Sequence, residues 1–294
     1  MNINTNRPMV FVMCGLSASG KSSYAKELSK EHNAVILSSD KIRECLLGDI
    51  ADQKGNALVF DTMHRAMIHL LKQNRNIILD ATHLTIKDRK KILTQLKPFD
   101  VEKSVVVVLK DFEKCKIDNI YRVNAVPNIV LNKQIRRFQI PFKNEGWDSL
   151  LIYCKEENKG KNLDINKEKD FNQYNPHHSL DLYKHSKAAA EYIADKNNCL
   201  GIIYDAALYH DYGKLFTQSF DEYGVAHYYN HENVGAYLYA AANPYYLGMI
   251  TAFYINYHMM LYNPQLSEEK LEKMFGEVDF RFLKMLHEAD VSAH

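Results

Sequence analysis

The feature that most constrains the fold is a glycine-rich stretch that follows the apolar run Val10–Cys14. Residues 15–22 read G-L-S-A-S-G-K-S, which is the spacing of a phosphate-binding P-loop. Gly15 and Gly20 permit backbone angles that let consecutive N–H groups point at one anion. Lys21 places a positive charge beside the outer phosphates, and the Ser22 hydroxyl can ligate Mg²⁺. The sequence therefore predicts an ATP–Mg²⁺ site formed by Gly15, Ser17, Ser19, Gly20, Lys21, Ser22 and Ser23.

Composition limits the remaining possibilities. The chain has 294 residues, enough for two domains that each bury a core. The net charge of +1 provides no overall basic surface, so any nucleic-acid binding needs a local groove. The five cysteines are odd in number and widely spaced, which favours reduced thiols over a disulfide or zinc framework.

Localisation is predicted from what the chain lacks. No apolar run approaches membrane-spanning length, and residues 1–6 do not have the character of a signal peptide. We expect a cytoplasmic protein with no membrane partner.

Strand and helix patterns alternate from residue 8 to about residue 150, which predicts an α/β domain with a parallel sheet. The predicted strands are Met9–Cys14, Ala34–Ser38, Asn76–Leu79 and Ser104–Leu109. The predicted helices between them are Ser22–His32, Leu58–Gln73 and Ile86–Leu96. Ligands of such sheets bind at the carboxyl ends of the strands, so the residues after each strand are candidates for the site.

Charged residues follow three of these strands. Asp40 and Arg43 come after the second strand, where the carboxylate could accept a proton from an attacking hydroxyl, although capping of a helix by Ser39 or Asp40 is an equal alternative. Asp80 ends the third strand and is suited to the Mg²⁺ shell or to holding a catalytic arginine. Beyond the fourth strand lies Arg122, which could clamp a triphosphate, and then a basic helix through Lys133, Arg136 and Arg137, whose cations could also be simply solvated.

Together these motifs resemble a known family. The set G-L-S-A-S-G-K-S, S-S-D-K-I-R, L-D-A-T-H-L and R-V-N-A-V-P is similar to the kinase domain of the polynucleotide 5′-kinases of phage and bacterial RNA-repair systems, over nearly all of residues 8–150. The resemblance implies that Asp40 is the general base on a 5′-OH and that Arg43 contacts the substrate phosphate. It also implies that Asp80 supports the site and that Arg122 is a lid arginine on the ATP phosphates.

The second half of the chain has a different pattern. A polar stretch of mixed charge predicts a linker at 155–173 between a first domain at 1–154 and a second at 174–294. Helical patterns then predict an all-α domain. The predicted helices are Ser179–Asn197, Ile202–Tyr212, Glu232–Ala242, Leu247–Leu261 and Ser267–Ala289.

Histidines and aspartates are spread over these helices: His185, His210, Asp211, His231, His258 and Asp290. Imidazole and carboxylate groups together suit Mn²⁺, Fe²⁺, Co²⁺, Ni²⁺ or Zn²⁺. The carboxylate of an adjacent His-Asp pair could bridge two ions. Gly213 is expected to end the helix, and Lys214 is within reach of a substrate phosphate.

The order H…HD…H…H…D over residues 177–290 is similar to the pattern of the HD phosphohydrolase superfamily. The resemblance implies that His185, His210, Asp211 and Asp290 form the core ligand set. His231 and His258 then match either ligands of a second ion or groups that bind phosphate. His178 would at most support the ligands, while His177, His227 and His287 fall outside the pattern.

The two halves together resemble the bifunctional bacterial HD-domain polynucleotide kinases, with an α/β P-loop kinase domain followed by an all-α HD-type domain. This resemblance implies an enzyme that phosphorylates 5′-OH ends of RNA or DNA and hydrolyses 3′-phosphate or 2′,3′-cyclic phosphate ends, with a nucleic-acid ligase acting downstream. Two alternatives stay open. One is a nucleoside or metabolite kinase fused to a nucleotidase, and the other is a non-catalytic sensor in which ATP controls the second site.

Overall fold

The structure is a computed structural model that describes residues 7–49, 54–174, 180–196 and 201–293. The chain forms two compact units. The first comprises residues 1–134 and 141–155, and the second comprises residues 135–140 and 156–294.

The first unit is an α/β layer built on one parallel sheet. Its strands are β1 (Met9–Cys14), β2 (Val35–Ser38), β3 (Ile77–Asp80), β4 (Glu102–Val108) and β5 (Ser149–Tyr153), in the spatial order β2-β3-β1-β4-β5. Its helices are α1 (Lys21–His32), α2 (Ser39–Leu47), α3 (Asn56–Leu71), α4 (Ile86–Leu96), α5 (Phe112–Ile120) and α6 (Asn128–Ile135). The predicted parallel-sheet fold is confirmed.

The degree of burial of each strand explains whether it could be predicted from the sequence. Strand β1 and most of β4 are inaccessible to solvent, and they read as continuous apolar runs because helices cover both faces of a parallel sheet. Strand β5 lies at the edge of the sheet and is only partly buried, so its short sequence S-L-L-I-Y was not predicted. Because β1 and β4 are neighbours, the loops after them meet at one end of the sheet.

The second unit is mainly helical, as predicted. Its helices are α7 (Leu182–Lys196), α8 (Gly201–Tyr209), α9 (His231–Ala242), α10 (Tyr246–Tyr257), α11 (Glu268–Phe275) and α12 (Glu277–Ser292). Short 3-10 turns lie at Ile165–Glu168, Tyr212–Phe216 and His258–Tyr262. A small antiparallel hairpin, β6 (Ser219–Phe220) with β7 (Ala226–His227), departs from the all-α expectation.

Three of the predicted helices of the second unit end early or divide, and the one predicted over Leu247–Leu261 ends at Tyr257, where a 3-10 turn follows. The pattern over Ser267–Ala289 divides into α11 and α12 because Gly276 adopts φ 88°, which no helix accommodates. The predicted helix Ile202–Tyr212 ends at Tyr209, and a 3-10 turn follows from Tyr212.

The predicted basic helix through Lys133, Arg136 and Arg137 is also shorter than expected. Helix α6 ends at Ile135, and the segment Ile135–Ile140 packs within the second unit. There the Asn256 amide accepts a hydrogen bond from the backbone N–H of Ile140 at 2.7 Å and donates to Asn233 at 2.8 Å. Asn233 in turn donates to the Arg136 carbonyl at 2.8 Å. A segment from the first half of the sequence therefore completes the core of the second unit.

The segment predicted as a linker is mostly part of the second unit. Residues 156–173 belong to the second unit, where Glu168 and Gln173 are buried. Their polar sequence resembles a linker because these side chains serve a polar centre instead of an apolar core.

Among the helices in the described ranges, none has both the length and the hydropathy that crossing a lipid bilayer requires.

Candidate functional site

The P-loop of the first unit lies between β1 and α1. Gly20 caps α1 with φ 100°, a left-handed backbone angle that favours glycine. Gly15 has a steric requirement, since a Cβ there would lie 2.5 Å from the carbonyl oxygen of Val108 in the neighbouring strand. The backbone N–H of Gly15 donates to the Thr82 carbonyl at 3.1 Å, which ties the loop to the end of β3. Both glycines are therefore needed for the shape of the loop.

Three of the predicted nucleotide-binding side chains lie together. The Lys21 ammonium donates to the Leu16 carbonyl at 2.6 Å, across the loop that it closes. Burial lowers the pKa of Lys21, and the Asp80 carboxylate opposes that shift. Burial raises the pKa of Asp80, while the Lys21 charge and a hydrogen bond from Ser22 lower it. Asp80, at the end of β3, thus faces both the lysine and the serine that were predicted to hold ATP and Mg²⁺.

The other P-loop serines have different surroundings. The Gln134 side chain accepts from the Ser17 backbone N–H at 2.8 Å and donates to the Ser17 hydroxyl at 2.9 Å, a contact that the sequence did not suggest. The Ser19 hydroxyl is buried and has no hydrogen-bond partner among the described residues. Ser23 is exposed on α1.

Asp40 and two arginines form a second group near the ends of the strands. The half-exposed Asp40 carboxylate lies 3.1 Å from Arg43 Nη1 and 4.0 Å from Arg122 Nη2. Arg43 is buried and also donates to Asn56 at 2.7 Å. The capping alternative does not apply here, because Ser38 occupies the N-cap of α2 and no side chain caps the helix. Asp40 is therefore free of a capping role and is held between two cations.

A buried ion pair supports this end of the sheet, and the sequence did not predict it. Arg89 donates to both carboxylate oxygens of Glu145, at 2.8 and 2.6 Å, and Trp147 donates to the same carboxylate at 2.9 Å. Arg89 also donates to the backbone carbonyl of His83 at 3.2 Å. Burial lowers the pKa of His83 to about 4, and its ring bonds the Met13 carbonyl, so the imidazole is neutral and structural.

In the second unit, the six predicted metal ligands converge from separate elements. His185 lies on α7, His231 begins α9 and Asp290 lies on α12, while His210, Asp211 and His258 follow the ends of α8 and α10. His185 Nε2 lies 3.0 Å from Asp290 and 3.6 Å from Asp211, and His231 Nε2 lies 3.0 Å from Asp211. Two buried groups of three share Asp211, one with His185 and His210 and the other with His231 and His258.

The orientation of the imidazoles shows what this cluster requires. In all four histidines Nδ1 lies 2.7–2.9 Å from a backbone carbonyl oxygen: those of Ala293, Ala207, Tyr228 and Ile255. A carbonyl can only accept, so Nδ1 carries a proton and Nε2 faces the centre of the cluster, where a neutral ring offers its lone pair to a metal ion. His185 and His210 then face each other through Nε2 at 3.2 Å, and His231 and His258 do so at 3.4 Å. Facing lone pairs repel, and a cation between them removes that repulsion.

The two carboxylates make the centre of the cluster favourable for positive charge, whether that charge is a proton on His210 or a metal ion. Burial opposes protonation of His210, but the Asp211 and Asp290 carboxylates outweigh it and raise the pKa to about 9. Burial lowers the pKa of His258 to about 3, and the neighbouring imidazoles lower it further. Although burial favours a neutral carboxyl, Lys214 and His210 hold the pKa of Asp211 well below its usual range. The donor set fits one or two divalent transition-metal ions.

Gly213 and Lys214 follow the His-Asp pair. The Lys214 ammonium lies 2.6 Å from Asp211 and 3.3 Å from the Gln173 side chain. Gly213 was expected to end the helix, but α8 already ends at Tyr209. The glycine instead permits close packing. A Cβ at this position would lie 2.0 Å from the His231 carbonyl oxygen and 2.7 Å from the Gly235 nitrogen. The glycine thus lets the His210-Asp211 turn approach the start of α9.

Two buried residues near this cluster come from the segment predicted as a linker. Glu168 is inaccessible to solvent, and neither of its carboxylate oxygens has a partner in hydrogen-bond geometry among the described residues. Burial raises the pKa of Glu168 to about 8, although the Ser186 hydroxyl and the charge of His210 both act to lower that pKa. Gln173 contacts Lys214 directly. Their signal in the sequence, single polar residues in a polar stretch, could not be separated from solvated positions.

The remaining predicted histidines are not ligands in the structure. His227 pairs with Asp221 at 3.1 Å, and the His287 ring packs edge-on against Tyr262. His177 and His178 lie outside the described residues.

Comparisons with known proteins agree with the fold of the first unit. Residues 10–141 match the family model described as an AAA domain. The N-terminal part is a P-loop kinase-like domain. The chain is 24% identical over 145 residues to the L-seryl-tRNA(Sec) kinase of Methanococcus maripaludis, covering 48% of this chain and 56% of that protein. It is also 24% identical over 146 residues to the bifunctional polynucleotide phosphatase/kinase of Schizosaccharomyces pombe, covering 48% of this chain and 32% of that protein.

Solved structures resemble the chain over about half its length. The Pnkp1/Rnl/Hen1 RNA repair complex matches with 19% identity and a TM-score of 0.40 over 46% of this chain and 45% of that chain. A putative kinase from Chloroflexus aurantiacus matches with 14% identity and a TM-score of 0.42 over 50% of this chain and 85% of that chain. The chain thus spans between a third and somewhat over half of the curated relatives it matches.

Proposed function

We propose that the chain is a bifunctional nucleic-acid end-healing enzyme. Its first unit phosphorylates 5′-OH ends with ATP, and its second is an HD-type phosphohydrolase acting on 3′-phosphate or 2′,3′-cyclic phosphate ends. RNA is the favoured polymer because breaks with 5′-OH and cyclic phosphate ends are typical of RNA. The similarity to a polynucleotide phosphatase/kinase and to a chain of an RNA repair complex supports this assignment.

In the kinase site, the side chains of the first unit divide the work of phosphoryl transfer. Lys21 and Arg122 balance the charge that develops on the transferred phosphoryl group. Asp40 accepts the proton of the attacking 5′-OH, and Arg43 orients that carboxylate from 3.1 Å and faces the substrate phosphate. Ser22 and Asp80 would hold Mg²⁺, which neutralises phosphate charge when bound.

In the second site, His185, His210, Asp211 and Asp290 would hold the first metal ion. His231 and His258 would either hold a second ion with Asp211 or bind the substrate phosphate. When bound, the metal supplies polarisation of the phosphate and activation of a water molecule. Lys214 donates to a phosphate oxygen, and Gln173 keeps its ammonium close to Asp211.

The observation that carries this proposal is the pair of inward-facing Nε2 contacts around Asp211, next to a buried lysine, in a chain whose first unit has a P-loop. A structural histidine cluster does not need four Nε2 atoms that converge on the same buried carboxylate.

A single incubation tests both activities. An oligoribonucleotide with a 5′-OH and a 3′-phosphate is incubated with γ-labelled ATP and either Mn²⁺ or Mg²⁺, and both ends are read. We expect a labelled 5′ end and a free 3′-OH. Parallel reactions with the DNA version and with free nucleosides separate a polymer kinase from a small-molecule kinase.

Two results would contradict the proposal. Labelling of nucleosides but not of oligonucleotides would favour the small-molecule kinase. Absence of phosphate-ester hydrolysis under Mn²⁺, Co²⁺, Ni²⁺ and Mg²⁺, with no transition metal in the purified protein, would favour the non-catalytic sensor. If both activities are present, a ligase that joins 5′-phosphate to 3′-OH ends becomes the expected downstream partner.

A further inference from the structure

Two exposed aromatic rings of the second unit, those of Tyr174 and Phe220, contact each other. Tyr174 and Phe220 each expose 55% of their surface and pack edge to face, with ring centroids 5.6 Å apart. An edge-to-face pair leaves broad ring faces open to a third planar group. Because the two rings are in contact, they present a larger continuous apolar surface than a single exposed side chain does.

Hydrogen bonds join these rings to the hairpin β6–β7. The carbonyl of Tyr174 accepts from the backbone N–H of Ala226, and Phe220 pairs with Ala226 across the hairpin. Paired residues in antiparallel strands point to the same side, so Phe220 and Ala226 share a face. Tyr174 and Phe220 therefore belong to one surface of the hairpin.

Tyr228 connects this surface to the lysine. It follows the end of β7, and its hydroxyl donates to the carbonyl of Gln173, the residue directly before Tyr174. Its ring centroid is 5.5 Å from the Lys214 ammonium. Gln218 fixes the arrangement by donating to the Tyr228 hydroxyl and to the Asn172 carbonyl, both at 2.9 Å. Tyr228, Tyr174 and Phe220 thus form an aromatic track that begins at Lys214.

The chemistry of the track specifies its occupant. One end offers a buried ammonium suited to a phosphate, and the other offers open aromatic faces on which a base can stack. A phosphate ester without a planar group uses only the first end. A nucleotide in an unpaired strand uses both, since its phosphate meets Lys214 and its base stacks on the rings.

We propose that the aromatic track of Tyr228, Tyr174 and Phe220 binds the unpaired 3′-terminal bases of a polynucleotide whose terminal phosphate lies at Lys214. This inference rests on the proposed phosphohydrolase and names its substrate class. The track selects single-stranded ends because stacked bases inside a duplex do not present their faces.

The test compares two 5′-blocked, 3′-phosphorylated oligoribonucleotides that differ only in whether the last two nucleotides carry bases. Binding to the full-length protein is measured by fluorescence anisotropy with chelator present, and hydrolysis is measured separately with Mn²⁺. We expect the wild type to prefer the base-carrying strand. We expect Phe220→Ala and Tyr174→Ala each to lower that preference about tenfold, the size of effect typical of a lost base stack. Phe220→Trp restores it because the ring is kept.

The control is Tyr223→Ala, which removes an exposed ring from the tip of the same hairpin, outside the track. It should retain the preference for bases. Equal binding of both strands by the wild type, or a loss of preference in Tyr223→Ala as large as in Phe220→Ala, would overturn the aromatic track. A wild type that prefers bases but hydrolyses neither strand would overturn the proposed phosphohydrolase and leave the track in place. Unaltered binding in the Phe220 and Tyr174 variants, with the preference intact, would also overturn the aromatic track.

Discussion

The two candidate sites are built in opposite ways. The P-loop of the first unit is one continuous stretch whose shape comes from the backbone angle of Gly20 and the absence of a side chain at Gly15. The cluster of the second unit gathers six side chains from helices and turns distant in sequence. A continuous loop depends mainly on its own residues, whereas a gathered cluster depends on the packing of every element that contributes to it. The two sites should therefore respond differently to substitution.

The largest expected effect is on the gathered cluster. Asp211 contacts His231, His185 and Lys214, so Asp211→Asn removes the charge shared by both groups of ligands. We expect loss of bound metal and of phosphate-ester hydrolysis, with 5′ phosphorylation retained. Elemental analysis and the two-ended oligonucleotide assay measure both results. Retention of a full complement of metal would show that Asp211 is not a ligand.

Removing the P-loop lysine should give the reverse pattern. Lys21→Ala should lower 5′ phosphorylation on the order of 10³-fold, since a cation at the transferred phosphate is lost. Hydrolysis by the second unit should persist. Loss of both activities in a folded Lys21→Ala protein would show that the two sites are coupled, and the contrast between them would fail.

An effect of comparable size separates catalysis from nucleotide binding in the first unit. Asp40→Asn keeps the shape of the side chain but removes the base, which we expect to lower kinase turnover roughly 10²–10⁴-fold at unchanged ATP affinity. The matched control is Asp61→Asn, a half-exposed carboxylate that pairs with Arg65 on α3. If ATP affinity falls in parallel with turnover, Asp40 binds nucleotide or metal instead.

The packing dependence of the second site can be tested at a glycine. Gly213→Ala places a methyl group 2.0 Å from the His231 carbonyl oxygen, so the start of α9 must move. We expect a loss of about 1–3 kcal/mol in the free energy of unfolding, the usual range for overpacking, together with weaker metal binding. Gly201→Ala is the control, since a Cβ there meets nothing within 4 Å. Urea unfolding of both variants gives the comparison, and equal stabilities would remove the steric argument.

A pH dependence of stability is expected at Glu168, where the change accumulates over several pH units. Burial raises its pKa from 4.5 to about 8, so the folded protein keeps a proton that the unfolded chain releases above about pH 5. The wild type should therefore lose stability as the pH rises from 5 to 8, by at most about 1.4 kcal/mol per pH unit. Glu168→Gln does not titrate, so its stability relative to the wild type should increase over that range.

Melting temperatures of the metal-free proteins at pH 5, 6, 7 and 8 measure this trend. The exposed residue Glu222 gives a control variant, Glu222→Gln, which should parallel the wild type. If Glu168→Gln also parallels the wild type, the Glu168 carboxyl is not held neutral.

The same contrast explains what the sequence could predict. Helix α4 and strand β1 were predicted with their observed limits, because Thr85 caps α4 through the Asp88 backbone N–H and β1 is a continuous buried run. The P-loop residues were found because they are adjacent in the chain. The six predicted ligands are brought together by the structure, although their chemical roles stay predictions.

The features that were missed depend on distant contacts. Gln134 reaches Ser17 from a position more than a hundred residues away, and Arg89 pairs with Glu145 at a separation of 56 residues. Glu168 and Gln173 looked like solvated linker residues because a polar side chain has the same local pattern whether it faces water or a buried lysine. Nothing near these residues in the sequence marks their partners.

The segment Ile135–Ile140 has a consequence for how the chain can be divided. Asn256 and Tyr257 in α10 bond the backbone of Ile140, and Phe138 packs edge-on against Tyr237. A gene fragment beginning at residue 156 would encode the helices without this segment, so Asn256 would lose the Ile140 N–H and the Phe138 carbonyl and keep only Asn233 among these partners. Recombination that moved the second half as a contiguous cassette would thus produce an incomplete core. A fragment that is to fold with the complete core of the second unit must therefore include residues 135–140.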